Sequence, residues 1–524
     1  MIPSLSPAEV RLAFLTRREI ALIDLREEDP FAKDHPLFAA CLPLSRLETE
    51  ALDRIPRKDT PVVLYDNGEG LIAPAADRLR RLGYCHLRQL EGGLEGWRAA
   101  GYELFQDVNS YSKAFGELVD TRRETPSVAA GDLQALIDSK ADIVVLDARR
   151  YDEFQTMSIP TGISVPGAEL VLRAPELAPD PNTTIIVNCA GRTRSIIGAQ
   201  SLINAGLPNP VAALRNGAIG WTLAGLTLDH GQSRKFPDTA PGKALEARAR
   251  AHTVAERAGV RRLTLADLAQ LTKERDRTLY RFDVRTPEEF AAGHIAGFRS
   301  APGGQLVQET DMFAPVRGAR IVLADDLGPR ADMTASWLAQ MGWDVYVLDG
   351  GFSGPLELGR WKPTLPALPA VETVSPSELA AELKTGGALV VDLAPSPQYR
   401  KGHIPGAWFV IRARLAEAFS ELPEGQPIVL TSSDGVLATL AAEETEALSD
   451  HPVRVLAGGT GAWIDAGLPL ETGLTRAASP PDDVYRRPYE GADHAAEAKQ
   501  AYLDWEFGLV DQLARDGTHG FFVI

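Results

Sequence analysis

Residues 183–195 read Thr183-Thr184-Ile185-Ile186-Val187-Asn188-Cys189-Ala190-Gly191-Arg192-Thr193-Arg194-Ser195. The apolar, β-branched opening predicts a short buried strand that ends at Cys189. Small and cationic residues follow, and a helical pattern runs on from Ser195 through Ile196, Ile197, Ala199 and Leu202. A thiol is thereby placed at the carboxyl end of a strand, just before a helix N-terminus. Unpaired N–H groups and the helix dipole favour an anion there. Arg192 and Arg194 add full positive charge. Such surroundings predict a cysteine of lowered pKa that acts as a nucleophile.

Working outward, the same unit recurs. Four apolar strands end in an aspartate: IALIDLR at Asp24, IVVLDAR at Asp147, LYRFDVR at Asp283 and ALVVDLA at Asp392. The residue matching Cys189 lies 42, 42, 42 and 40 positions later, at Asp66, Cys189, Asp325 and Ser432. A further strand then runs into a glycine turn at Gly93, Gly217, Gly351 and Gly459. Four residues beyond each stand Trp97, Trp221, Pro355 and Trp463. Helical patterns such as PAADRLRRLGY and MTASWLAQMGW separate the strands. This alternation predicts an α/β fold: four tandem domains, each a mainly parallel sheet flanked by helices, plus a C-terminal helical tail. Ligands of open parallel sheets sit beyond the strands' carboxyl ends, where Cys189 falls. The expected boundaries are 1–106, 126–231, 260–365 and 366–475, with the tail at 476–524. Residues 107–125 and 232–259 read as linker helices, and WKPTLPALPA as an extended spacer. An amphipathic helix is expected through AAEAKQAYLDWEFGLVDQLARDG, packing back on its own chain or serving a homodimer contact.

Composition sets limits. The chain has 524 residues, 44% of them hydrophobic, and a formal net charge of −17, which argues against nucleic acid or an anionic membrane as partner. Three cysteines exclude a disulfide scaffold and suit a reducing compartment. The opening segment has no signal-peptide core, and no run of 18 apolar residues occurs, so a cytoplasmic location is expected. No Cys/His arrangement has metal-ligand spacing, and GxGxxG after a first strand is absent. Neither metal nor dinucleotide cofactor is therefore expected.

Asp147-x-Arg149 followed by Glu153-Phe154, the loop CAGRTRS (189–195) and RNGAIGWTLAGLTL (215–228) together resemble the rhodanese (sulfurtransferase) family, as do HIAG (294–297) and HIPGA (403–407). The resemblance extends over four copies. It implies that Cys189 takes the outer sulfur of a donor such as thiosulfate, becomes a persulfide and passes the sulfur to cyanide, a thiol or a protein cysteine. No cofactor beyond that covalent intermediate is implied. The backbone of Ala190, Gly191, Arg192, Thr193, Arg194 and Ser195 is expected to nest around the anion. Arg192 and Arg194 are expected to hold the donor's oxyanion end, and Ser195 to cap the helix. Domains one, three and four are read as inactive, since Asp66, Asp325 and Ser432 cannot carry a persulfide. Arg330 keeps the place of Arg194, so domain three is expected to retain a remnant anion site.

Domain two departs from the family pattern at Met157–Ala168, where Ser158 stands in place of histidine. The loop is expected to border the pocket, with Arg173 a candidate for substrate contact set against a plain surface arginine. Asp147 and Arg149 read as a fold-stabilising ion pair in preference to catalytic groups, His294 and His403 as structural, Cys41 as structural and Cys85 as core. Rival functions are a 3-mercaptopyruvate or low-molecular-weight persulfide sulfurtransferase, a Cys-dependent phosphatase or arsenate reductase, and a non-enzymatic sulfur relay or scaffold. Only four residues separate Cys189 from Arg194. Tyrosine-phosphatase-like sites need five, in a loop that encloses a phosphate, and this shorter cradle fits sulfur better.

Overall fold

The computed structural model describes residues 2–490 and 495–524. Four five-stranded sheets draw their strands from residues 4–90, 127–214, 261–348 and 373–456. Each has the strand order first–fifth–fourth–second–third, and the pairings between these strands are parallel. The central strands are short and apolar. Val62–Tyr65 and Ile428–Thr431 are buried along their whole length, as continuous hydrophobic runs between two helical layers require.

Helix starts are written locally. Ser6, Thr264 and Ser375 each cap the opening helix of a domain, with Glu9, Asp267 and Glu378 closing the capping box; each such cap contributes about 1 kcal/mol. Domain two opens at Ala129 without a side-chain cap.

The recurring aspartates lock the strand ends. Asp147 accepts from the Arg149 amide at 3.0 Å and from its Nε at 2.9 Å, while Arg149 Nη2 donates to Met157 O at 2.6 Å. Asp24–Arg26 and Asp283–Arg285 repeat this staple. Domain four has no arginine at that place; Asp392 accepts from the Ala394 amide, and burial pushes its carboxyl up to about 7. Trp97, Trp221 and Trp463 are buried and donate Nε1 to Glu103 O, Thr227 O and Pro469 O.

The domains interlock. An antiparallel bridge between Ile20 and Arg317 joins domain one to domain three, and Glu48 accepts from Arg412 of domain four at 3.0 Å. The linker helix Pro241–Arg257 lies against Pro329–Gln340 of domain three. The tail forms two helices, Ala496–Phe507 and Leu509–Asp516, broken at Gly508, where one was expected. It packs back on its own chain: Leu509 and Leu513 join the core shared by domains one and three. Of the tail expected at 476–524, residues 491–494 lie outside the described residues. Among the described residues, no helix is long and apolar enough to cross a membrane.

Three expectations need correction. Cys85 is exposed, its thiol set over Lys58 O at 3.6 Å, and is not core. Arg173 is buried without reaching the strand-end loop: its Nε donates to Glu169 at 2.9 Å and its guanidinium covers the Phe236 ring. Arg330 offers no remnant anion site, because Asp325, Asp326, Glu289 and Glu169 already surround it.

Replacing Asp147 by Ala strands a buried guanidinium. A loss of about 3–5 kcal/mol in urea unfolding is expected.

Candidate functional site

Strand Thr184–Asn188 is central in its sheet, and Cys189 is the residue immediately after it. Helix Thr193–Asn204 starts four residues later. The loop between is anchored from outside: the Ala218 and Ile219 amides, at the start of helix Gly217–Leu223, donate to Cys189 O and Ala190 O at 2.9 Å. This approach needs glycine at 217. Its φ is +51°, and a Cβ there would lie 2.4 Å from Cys189 O.

Inside the loop, Cys189 Sγ lies 3.3 Å from Ser195 Oγ. Ser195 is no N-cap, contrary to expectation. Its hydroxyl donates to Arg192 O at 2.8 Å from within the first helical turn, and its amide also bears on the sulfur.

The thiol is 2% exposed. Burial pushes its pKa up; Arg194 and Ser195 pull it down, and Glu506 adds to the rise. The expectation of a lowered thiol pKa is therefore not met. Desolvation exceeds the favourable charge because that charge is already shared. Arg194 holds Glu153 through both guanidinium nitrogens, at 2.7 and 2.9 Å, which brings the Glu153 carboxyl down to about 2 despite its burial.

Arg192 is turned away from donor binding altogether. Its Nε and Nη2 donate to Glu117 at 2.7 and 2.9 Å, and Nη2 also to Asp120 at 2.9 Å. Its guanidinium covers the Phe507 ring at 4.3 Å. The side chain thus ties the loop to linker helix Ser110–Arg123 and to the tail. Thr193 is pressed against Gly116 of the same linker helix, whose added Cβ would meet Thr193 Cγ2 at 2.8 Å.

Sequence reasoning missed the tail's place over this loop. A Cβ on Gly191 would touch Tyr502 Cε1 at 3.3 Å and Glu506 Oε2 at 3.4 Å. Tyr502 donates its hydroxyl to Glu506 Oε1 at 3.0 Å, while Oε2 is buried without a hydrogen-bond partner. Burial and the nearby Glu117 push the Glu506 carboxyl up to about 8, against the pull of Lys113, Tyr502 and Arg192. Tyr502 and Leu503 pack on Ile219, burying apolar area that contributes about 2 kcal/mol per side chain. No local signal in the sequence pairs residue 506 with residue 191.

A cavity of about 240 Å³ lies against Ala190 and Arg194 of the loop, walled by Glu153, Met157, Gln308 and Tyr489. Met157 places the start of the divergent Met157–Ala168 segment on this cavity. Ser158 does occupy the histidine position: it bridges Asp229 as His294 bridges Glu357 and His403 bridges Glu471. Domain one also has such a histidine, His35, paired with Phe105 and missed in the sequence. His294 and His403 are buried and stack on Phe290 and Tyr399. Asp66, Asp325 and Ser432 follow the equivalent strands Val62–Tyr65, Arg320–Ala324 and Ile428–Thr431. Asp325 is spent on Arg330. Among the described residues, no group of three or more His, Cys, Asp or Glu is placed to hold a metal.

The profile of the Rhodanese-like domain matches residues 6–100, 129–224, 264–356 and 375–466, so this chain belongs to the rhodanese family. At the level of particular proteins, it is similar over its full length to a thiosulfate sulfurtransferase from Pseudomonas aeruginosa solved by crystallography, with 61% identity, a TM-score of 0.98 and 100% of both chains covered. Thiosulfate sulfurtransferase GlpE of Ectopseudomonas mendocina is 35% identical over 100 residues, which are 18% of this chain and 78% of that protein. An uncharacterized Synechocystis protein, slr1261, is 35% identical over 91 residues, 17% of this chain. The match spans 50% of slr1261, and 46% of an HTH-type transcriptional regulator of Mycobacterium tuberculosis.

Because Glu506 carries a raised pKa, its stabilising effect is full below its unfolded value and is lost as pH rises through about 8. Hydrogen-exchange protection factors for 496–507 should fall by about tenfold or more between pH 5 and 8. Glu506→Gln should abolish that dependence.

Proposed function

We propose that this chain is a thiosulfate sulfurtransferase working through a persulfide on Cys189. The observation carrying this reading is that, of four equivalent strand-end positions, Cys189 alone holds a thiol, set beside Ser195 within a backbone loop. Membership of the rhodanese family and the full-length similarity to the Pseudomonas aeruginosa enzyme support it.

The donor enters by the cavity beside Ala190 and Arg194. Cys189 Sγ attacks the outer sulfur of thiosulfate, an S–S bond forms to the enzyme, and the donor's S–S bond breaks with its electron pair on sulfite. The thiol proton leaves with it as hydrogen sulfite, and the enzyme keeps a persulfide anion. The Ser195 amide and the neighbouring loop amides stabilise that anion. Hydrogen cyanide, a thiol or a protein cysteine then attacks the outer sulfur, the persulfide S–S bond breaks with its electron pair on Cys189, and the acceptor's proton restores the Cys189 thiol, which gives ping-pong kinetics. The cycle calls for no cofactor. Domains one, three and four take no part in the chemistry. The three cysteines are free, in keeping with a cytoplasmic location.

Both arginines of the loop are already paired, so a phosphoryl dianion finds no free cation there, and the phosphatase reading loses its main support. Thiosulfate meets the same competition from Glu153. Glu153→Gln should therefore lower KM for thiosulfate severalfold. Incubation with thiosulfate should add one sulfur to the Cys189 peptide by mass spectrometry, and Cys189→Ser should abolish both that adduct and turnover with the fold intact. Substantial turnover by Cys189→Ser would refute the assignment. A kcat/KM higher with 3-mercaptopyruvate, or with a low-molecular-weight persulfide, would reassign the donor.

A further inference from the structure

The chain carries a formal net charge of −17, yet one cavity of about 500 Å³ is walled by five arginines, Arg17, Arg18, Arg261, Arg277 and Arg317. It lies on the seam between domains one and three, and residues 517–520 of the tail form its third side. Among the described residues lining it, Asp344 is the one carboxylate, and it is shared by Arg261 and, at 2.8 Å, Arg277.

Among the described residues lining the cavity, the other three cations have no counter-ion. Arg18 donates Nε to Thr16 Oγ1 at 3.3 Å. Arg317 lies between the Phe38 and Trp343 rings, at 4.2 and 4.4 Å. Its Nη2 reaches only Met341 O at 3.4 Å, and Nη1 is buried with no partner. Burial, with Arg17 reinforcing it, pushes Arg317 down to about 10. Arg17, at φ +53°, is the left-handed residue that ends helix Pro7–Leu15, with the Arg17 and Arg18 amides donating to Phe14 O and Ala13 O.

Like charges gathered in a partly desolvated space repel, and an anion relieves the repulsion. Guanidinium forks match phosphate oxygens two at a time. The volume falls in the range of small-molecule sites, well beyond one tetrahedral oxyanion. Phe14, Leu15 and Trp343 on the wall offer a surface for an uncharged moiety. We propose that this cavity is a binding site for a small molecule bearing linked phosphates, with a nucleoside triphosphate the form that fits both its charge and its size. None of its lining residues belongs to the 189–195 loop, so the site is separate from the sulfur chemistry.

Isothermal titration calorimetry of the full chain, at one fixed ionic strength, tests this with tripolyphosphate, ATP and sulfate. Both triphosphates should bind with Kd below about 100 μM, and sulfate at least about a hundredfold more weakly. The double variant Arg17→Gln/Arg18→Gln, at exposed positions, should weaken triphosphate binding at least tenfold. Its Tm and thiosulfate turnover should be unchanged. ATP tighter than tripolyphosphate supports the nucleotide form, and equal affinities support a site that reads the phosphate chain alone. Should the variant unfold, a triphosphate-dependent rise in the wild-type Tm that sulfate does not reproduce supports the site. Triphosphates binding no tighter than sulfate, or a folded double variant that keeps full affinity, would overturn it.

Discussion

The contact on which the site depends is the fork of Arg192 on Glu117 and Asp120. It converts a short glycine-containing loop, which on its own has little to hold it, into the joint between domain two, a linker helix and the tail. With the Arg192 guanidinium facing outward, Phe507 stacks on it and Tyr502 and Glu506 come down on Gly191. The sulfur is consequently buried, and that burial raises the pKa of its thiol. The charged form becomes favourable only when a reacting group replaces some of the lost solvation.

Charge balance explains how one module is used four times with one thiol. Each strand-end loop leaves backbone groups and a helix start that attract negative charge. Where Asp325 supplies it, Arg330 answers with its full set of donors, and the pair becomes a buried cross-link that also reaches Glu169 of domain two. In domain one, Asp66 accepts from the Gly68 and Leu71 amides. In domain four, the neutral Ser432 accepts from the Ala438 amide. A carboxylate or hydroxyl satisfies the same groups that a persulfide anion would use. Those loops are therefore complete as folded.

What could be read from the chain was whatever is encoded within a few residues or repeated at fixed spacing. The strand before Cys189, the parallel α/β units and the Asp147–Arg149 pair all follow from local pattern, because the chemistry of each closes within one segment. Arg192 with Glu117, 75 residues apart, and Arg330 with Glu169, 161 apart, follow from which domain faces which. No periodicity carries that information. The same gap explains the misreadings. Arg192 and Arg194 looked free because their carboxylate partners are distant in sequence. Arg173 looked like a surface or substrate residue because Phe236 and Thr239, which enclose it, come from the next linker. Cys85 was assigned to the core from its place at a strand entry, where an exposed residue serves equally well.

Much of what packs on the Cys189 loop comes from outside its own domain: Glu117 and Asp120 hold Arg192 from the preceding linker, and Tyr502, Glu506 and Phe507 reach Gly191 and Arg192 from the tail. Excised alone, domain two would present an Arg192 without its carboxylates and a bare Gly191 face to water. Its reactivity would then describe a fragment with a different electrostatic environment. In this protein the length of polypeptide that defines one chemical group is close to the whole molecule, and dissection into modules removes what sets the behaviour of the sulfur.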